Sequence, residues 1–148
     1  MELDQAFSAL TADERRALLA RSKRIFFKND EPILEEGQTL DHIYVIAHGQ
    51  VRITHDLNGT VSAEFAGPLG AGDSVGEVTF IDGRGASATI TTDGDVEIIS
   101  ISRGVLNEML AADKTFGGRL YYSLLWTLCR RLRTTNIRAL IGTIRDHR

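Results

Sequence analysis

Short apolar segments alternating with polar residues dominate the middle of the chain. Val51, Ile53 and His55 alternate with Arg52 and Thr54, and Val61, Ala63 and Phe65 alternate with Ser62 and Glu64, the period-two pattern of half-buried strands. Between them Asn58-Gly59 predicts a tight hairpin, because both central positions of such a turn need positive φ. Residues 43–47, 88–92 and 96–101 complete about seven or eight short strands, and 10 of the 14 glycines fall between Gly37 and Gly94. Many short strands with glycine turns predict a sandwich or barrel. The spacing of parallel βαβ units is missing.

Helical patterns flank this region. Thr11-Ala12-Asp13-Glu14 has the form of a capping box, followed by an apolar stripe of Ala17, Leu18 and Leu19. After Ile101, the residues Val105, Leu106, Met109 and Leu110 predict a short amphipathic helix. From about 113 to 145 there is no proline, and a long helix is expected. Its residues Leu120, Tyr121, Leu124, Leu125, Leu128 and Leu132 form one stripe; Trp126, Ile137, Leu140 and Ile144 form a second, in a frame that also passes through Arg130 and Arg133. A helix with two apolar faces must bury both or break. Either the first stripe covers the β-domain while the second meets the same helix of another subunit, or Thr134-Thr135-Asn136, poor helix formers, end the helix and the last segment folds back.

Length and composition narrow the class. At 148 residues, 43% hydrophobic and 25% charged, one domain over 1–148 with an ordinary core is expected. The single cysteine, Cys129, cannot close an intrachain disulfide, which fits a reducing cytoplasm. No apolar run reaches membrane-span length, and Met1-Glu2-Leu3-Asp4 lacks the basic start of a secretory signal. Charge is unevenly placed. Residues 1–113 carry 9 Lys/Arg against 19 Asp/Glu, a net of −10, whereas residues 114–148 carry 8 against Asp146 alone, a net of +7. The basic tail is either a solvated helix face paired with acidic neighbours or a surface for an anionic partner.

No catalytic set stands out. The four histidines lack compact metal-ligand spacing; His42 and His55 approach each other only if residues 43–47 and 51–55 pair around His48-Gly49-Gln50. Cys129 sits among leucines, and Gly72-Asp73-Ser74-Val75-Gly76 does not have the spacing of a nucleophile elbow. No enzyme activity, metal or cofactor is expected. One segment does differ from its surroundings. Residues 72–90 leave a strand, pass through glycines and re-enter a strand. They form either an anion-cradling loop, in which glycines let backbone N–H groups approach closely, or an ordinary surface loop.

That segment carries a resemblance. Val75-Gly76-Glu77-Val78-Thr79-Phe80 through Ser87-Ala88-Thr89-Ile90, with Ile33-Leu34-Glu35-Glu36-Gly37, Tyr44-Val45-Ile46-Ala47-His48-Gly49 and Cys129-Arg130-Arg131-Leu132, resembles the cyclic-nucleotide-binding domain family. The resemblance covers nearly the whole chain. It implies a mainly β fold with flanking helices: an antiparallel double-stranded β-roll of jelly-roll type over about 24–101, an N-terminal helix, and C-terminal helices over about 103–145. It also implies a regulatory domain that binds cyclic AMP or cyclic GMP in a phosphate-binding cassette and signals through its C-terminal helix. By the same resemblance Glu77 accepts a ribose hydroxyl, the Gly76 backbone closes on the sugar, Ser87 meets the cyclic phosphate, and Thr135 and Asn136 touch the purine.

The family's phosphate-binding arginine is replaced by Ala86, with Arg84 two residues earlier. A ligand-free domain used for dimerisation or protein interaction is the alternative. Only a few residues follow Ile144, so a stand-alone module without a helix-turn-helix is expected. Its expected partners are a homodimer mate through the C-terminal helix and an effector protein, with no direct DNA binding and no membrane.

Overall fold

The computed structural model describes residues 1–57, 60–62 and 69–146, with side chains described only through residue 55, over 69–134, and not in 60–62. Helix α1 (Ala12–Arg21) begins at the capping box: Thr11 Oγ1 accepts from the Glu14 N–H at 3.1 Å, and the Thr11 N–H donates to Glu14 Oε1 at 2.8 Å. Strands β1 (Lys23–Phe27), β2 (Pro32–Leu34), β3 (His42–Leu57), β4 (Thr60–Ser62), β5 (Leu69–Gly70) and β6 (Ser74–Val75) follow. Next come a one-and-a-half-turn helix α2 (Glu77–Asp82), strand β7 (Thr89–Ser102), and helices α3 (Arg103–Ala112) and α4 (Phe116–Asp146). The sheet is antiparallel throughout. Its spine is the β3–β7 ladder; β1 and β2 add to β7, and β4, β5 and β6 add to β3. This is the mainly β roll with flanking helices that the sequence predicts.

Four of the expected short strands are parts of two long ones. Residues 43–47 and 51–55 do not pair around His48-Gly49-Gln50; they are two halves of β3, and residues 88–92 and 96–101 are likewise halves of β7. His42 and His55 therefore stand at opposite ends of one strand. The glycines bend these strands without ending them: His48 pairs with Glu97 and Gln50 with Asp93, so Gly49 alone faces residues 94–96. Gly49 (φ +94°) lies against the bulge, where an added Cβ would fall 2.5 Å from the Asp95 carbonyl oxygen. A Gly49→Ala variant is expected to lose about 2–3 kcal/mol, read as a lower denaturation midpoint at unchanged slope in urea. The Asn58-Gly59 turn lies outside the described residues, although Leu57 pairs with Thr60 on either side of it.

The bends let the β3–β7 spine bury both faces. Ile43, Val45, Ile99 and Ile101 face the helices and pack with Leu106, Phe116, Leu120 and Leu124. Ile46, Val51, Val96 and Ile98 face into the roll with Leu34, Val75 and Ile90. The first ten residues, which the strand and helix patterns leave unassigned, seal the helical side: Leu3, Ala6, Phe7 and Leu10 are all buried there.

Helix α4 runs unbroken through Thr134-Thr135-Asn136, so the chain does not fold back at that point. Its inward line is Phe116, Leu120, Leu124 and Thr127, all buried, with Leu128 half-buried. The expected first stripe is thus split. Tyr121, Leu125 and Leu132 point to solvent, at 45%, 57% and 62% exposure, because at about 100° per residue they lie more than a quarter-turn from Leu120. Trp126 of the expected second stripe is also exposed, as are Arg130 and Arg133; the side chains of Ile137, Leu140 and Ile144 lie outside the described residues. Arg119 pairs with Glu14 at 2.7 Å and Arg131 pairs with Glu77, so part of the basic tail answers acidic neighbours.

Candidate functional site

The segment between β6 and β7 is held at both ends. Gly76 and Gly83 flank α2 in left-handed conformations, and at Gly76 (φ +88°) an added Cβ would meet Leu40 at 2.8 Å. Past the helix, the Ala86 N–H donates to the Gln38 carbonyl and the Gly37 N–H donates to the Ala86 carbonyl, both at 2.8 Å. This pair of hydrogen bonds between loops fixes Ala86, which is 7% exposed, against the wall of a cavity.

The cavity, of about 390 Å³, opens between the roll, α2 and the inner face of α4. Its lining is mostly aliphatic: Leu34, Ile53, Val75, Ala86 and Ile90 from the roll, Leu128 and Leu132 from the helix. Gly76, Glu77 and Ser87 line it too, together with Arg131. A small concave apolar chamber with few polar groups is the usual form of a small-molecule site.

Glu77 is its focus. The carboxylate is 1% exposed, accepts from Ser74 Oγ at 3.2 Å, and forms an ion pair with Arg131, which also donates to the Ser74 carbonyl. Only one carboxylate oxygen is used; Oε2 has no hydrogen-bond partner. Burial pushes the Glu77 carboxyl above its ordinary range, and Arg131 pulls it back in part. The other end of α2 is anchored by Arg103, whose guanidinium lies 4.0 Å from the centre of the Phe80 ring and donates to the Phe80 carbonyl at 2.8 Å and to Asp41 at 3.0 Å. A cation at the C-terminal carbonyls of a helix is favourably placed.

The sequence-predicted residues separate clearly. Gly76, Glu77, Ala86 and Ser87 meet at the cavity. Arg84 stands apart, with an exposed side chain outside the lining and its N–H donating to Asp82 at 2.9 Å. Thr135 and Asn136 belong to the backbone of α4, and their side chains lie outside the described residues. Sequence reasoning assigned no role to Arg131 or Ser74. The signal for Arg131 was its place in the series Leu120, Leu124, Thr127, Arg131, whose steps of four, three and four keep it on the inward line.

Histidine chemistry is scattered. His55 pairs with Glu36 at 2.6 Å, and among the described residues no group of His, Cys, Asp and Glu is arranged to hold a metal ion. Nor is any described helix long and apolar enough to cross a membrane.

Known proteins share this architecture. A cyclic nucleotide-binding domain from Methylobacillus flagellatus KT is 25% identical, with a TM-score of 0.84 over 95% of this chain and 82% of that one. The Thermus thermophilus catabolite activator protein is 23% identical at a TM-score of 0.75, and the match spans 94% of this chain but 63% of the activator. The regulatory domain of Toxoplasma gondii PKA, crystallised with cAMP, is 19% identical at a TM-score of 0.66 over 89% of this chain and 46% of that one. The family model described as "Cyclic nucleotide-binding domain" matches residues 24–113, a span that contains all of the roll but Lys23, together with α2 and α3. The chain belongs to the cyclic nucleotide-binding domain family.

Proposed function

We propose that this chain is a cytoplasmic regulatory domain without catalytic activity that senses a cyclic purine nucleotide, cyclic AMP or cyclic GMP, and signals through α4. The observation that carries this reading is the Glu77–Arg131 pair. It joins the ligand-facing helix α2 to α4, so a molecule that bonds to Glu77 acts directly on the contact holding α4 to the roll. A ligand shifts a conformational balance only through contacts that differ between the two states, and this contact is such a place. The buried Glu77, tied to an arginine and facing an apolar chamber, suits recognition better than proton transfer. The exposed apolar residues of α4 supply the output surface for a second copy or an effector protein.

A second reading, a ligand-free domain used for dimerisation or protein interaction, draws on Ala86. A methyl group stands in the cavity wall where the resemblance implies an arginine.

A thermal-shift titration with cyclic AMP and cyclic GMP separates the two. Ligand at 100 times its dissociation constant adds about 2.7 kcal/mol, roughly 5–10 °C for a domain of this size. The sensing reading expects this shift in the wild type and its loss in Glu77→Ala. No shift at millimolar concentration of either nucleotide favours the ligand-free reading.

A further inference from the structure

We infer that the cavity selects its ligand by an uncharged, hydroxyl-bearing portion and not by an anionic group, so that purine nucleosides bind as tightly as their cyclic phosphates. The inference rests on the purine-nucleotide reading above and narrows the class of ligand the same site takes. It starts from the polar atoms. Glu77 is almost completely buried, and its Oε2 has no hydrogen-bond partner. A buried acceptor left unpaired costs free energy that a partner recovers, so a ligand that brings an O–H or N–H to this atom gains a hydrogen bond and removes a deficit. An anionic ligand atom placed there meets a carboxylate.

The cationic side of the cavity is already occupied. Arg131 is the cation among the described lining residues, and it is bonded to Glu77 and to the Ser74 carbonyl. Drawing it toward a ligand anion would strip Glu77 of its counter-charge inside the protein, which is costly for a buried carboxylate. The remaining wall offers methyl and methylene groups from Leu34, Val75, Ala86 and Ile90, and its other polar side chains, Ser87 and Thr79, carry uncharged hydroxyls, that of Thr79 bonded to the Arg84 carbonyl. The Ala86 N–H is spent on the Gln38 carbonyl, and the Arg84 side chain lies outside the lining. Apolar walls, one waiting acceptor and a self-neutralised ion pair favour a flat uncharged heterocycle carrying hydroxyl groups.

Isothermal titration of the full chain, wild type and Glu77→Gln, with adenosine and with cyclic AMP, then with guanosine and cyclic GMP, tests this. In at least one pair, the nucleoside is expected to bind within about threefold of its cyclic phosphate, and Glu77→Gln to weaken nucleoside binding by at least about tenfold. A cyclic phosphate that binds more than about tenfold tighter than its nucleoside in both pairs overturns the inference while leaving the nucleotide reading in place. Saturable binding by none of the four compounds at millimolar concentration overturns both. Nucleoside binding that Glu77→Gln leaves unchanged places the recognition elsewhere and also overturns the inference.

Discussion

Replacing Arg131 with methionine lowers the stability of the protein at neutral pH by about 3 kcal/mol, because it leaves a buried carboxylate without its counter-charge. Methionine keeps most of the apolar stem, so the loss reports the charge more than the packing. For a domain of 148 residues the melting temperature falls by roughly 6–12 °C. The sign of the pH dependence follows from burial, which raises the Glu77 pKa in the folded state above its unfolded value near 4.5. The folded state then holds the proton more tightly than the unfolded one, so stability is gained as pH falls through the folded pKa toward 4.5. Without Arg131 only hydrogen bonds from the Ser74 hydroxyl and the Glu77 backbone N–H offset the desolvation, and the penalty is greatest at and above neutrality. The gap in melting temperature between wild type and Arg131→Met is therefore wider at about pH 8 than at about pH 5. Combining the change with Glu77→Gln recovers most of the loss, since the two side chains act as one unit. A gap that is independent of pH, or additive losses in the double variant, would show that the pair does not couple α2 to α4.

The second large effect concerns association. Tyr122, Leu125, Trp126 and Leu132 of α4 are each more than half exposed, and Cys129 lies among them. Positions 122, 125, 129 and 132 step by three, four and three, the seam of a two-stranded coiled coil. A second copy of α4 laid along this seam covers the apolar residues, and two-fold symmetry makes every contact reciprocal, each position meeting its own equivalent where the helices run parallel and in register. Sedimentation equilibrium at tens of micromolar is expected to give a dimer. In Leu125→Glu/Trp126→Glu, four side chains over two copies lose the burial of their exposed halves, about 0.8–1.5 kcal/mol each, so association weakens by roughly two to four decades and the variant sediments as a monomer. Mild oxidation of the wild type links Cys129 to its counterpart if the helices run parallel and in register. A wild-type monomer would remove this dimer; a dimer that survives the double substitution would place its interface away from the seam.

The two partners of the Glu77–Arg131 pair differ in how visible they were before the structure. The segment around Gly76 stands out by its glycines, and Glu77 within it is singled out by the family resemblance. Arg131 required knowing which face of a long helix turns inward. Leu120, Leu124 and Leu128 were visible as a stripe, yet Tyr121, Leu125 and Leu132 keep the same three- and four-residue steps one position later. Stepping alone does not separate two adjacent faces; packing of Leu120 and Leu124 against Ile43, Val45, Ile99 and Ile101 of the spine does.

The glycines at 49 and 94 were read as turns because both are flanked by short apolar runs. Their positive φ angles instead serve bulges inside β3 and β7, and a glycine within a strand pattern signals a bulge as readily as a turn. The capping box was plain because both its members are local in sequence. The burial of Leu3, Ala6, Phe7 and Leu10 depends on helices more than 90 residues away, among them Leu106 and Phe116, and no local rule announces it.

The central claim is that a molecule bound at Glu77 is read out by α4. Hydrogen exchange over residues 120–134 measures it directly, with and without saturating cyclic AMP, in the wild type and in Glu77→Ala. The account predicts that ligand alters amide protection in this stretch of the wild type and leaves it unchanged in Glu77→Ala. Saturable binding to the wild type with the exchange of residues 120–134 untouched would contradict it.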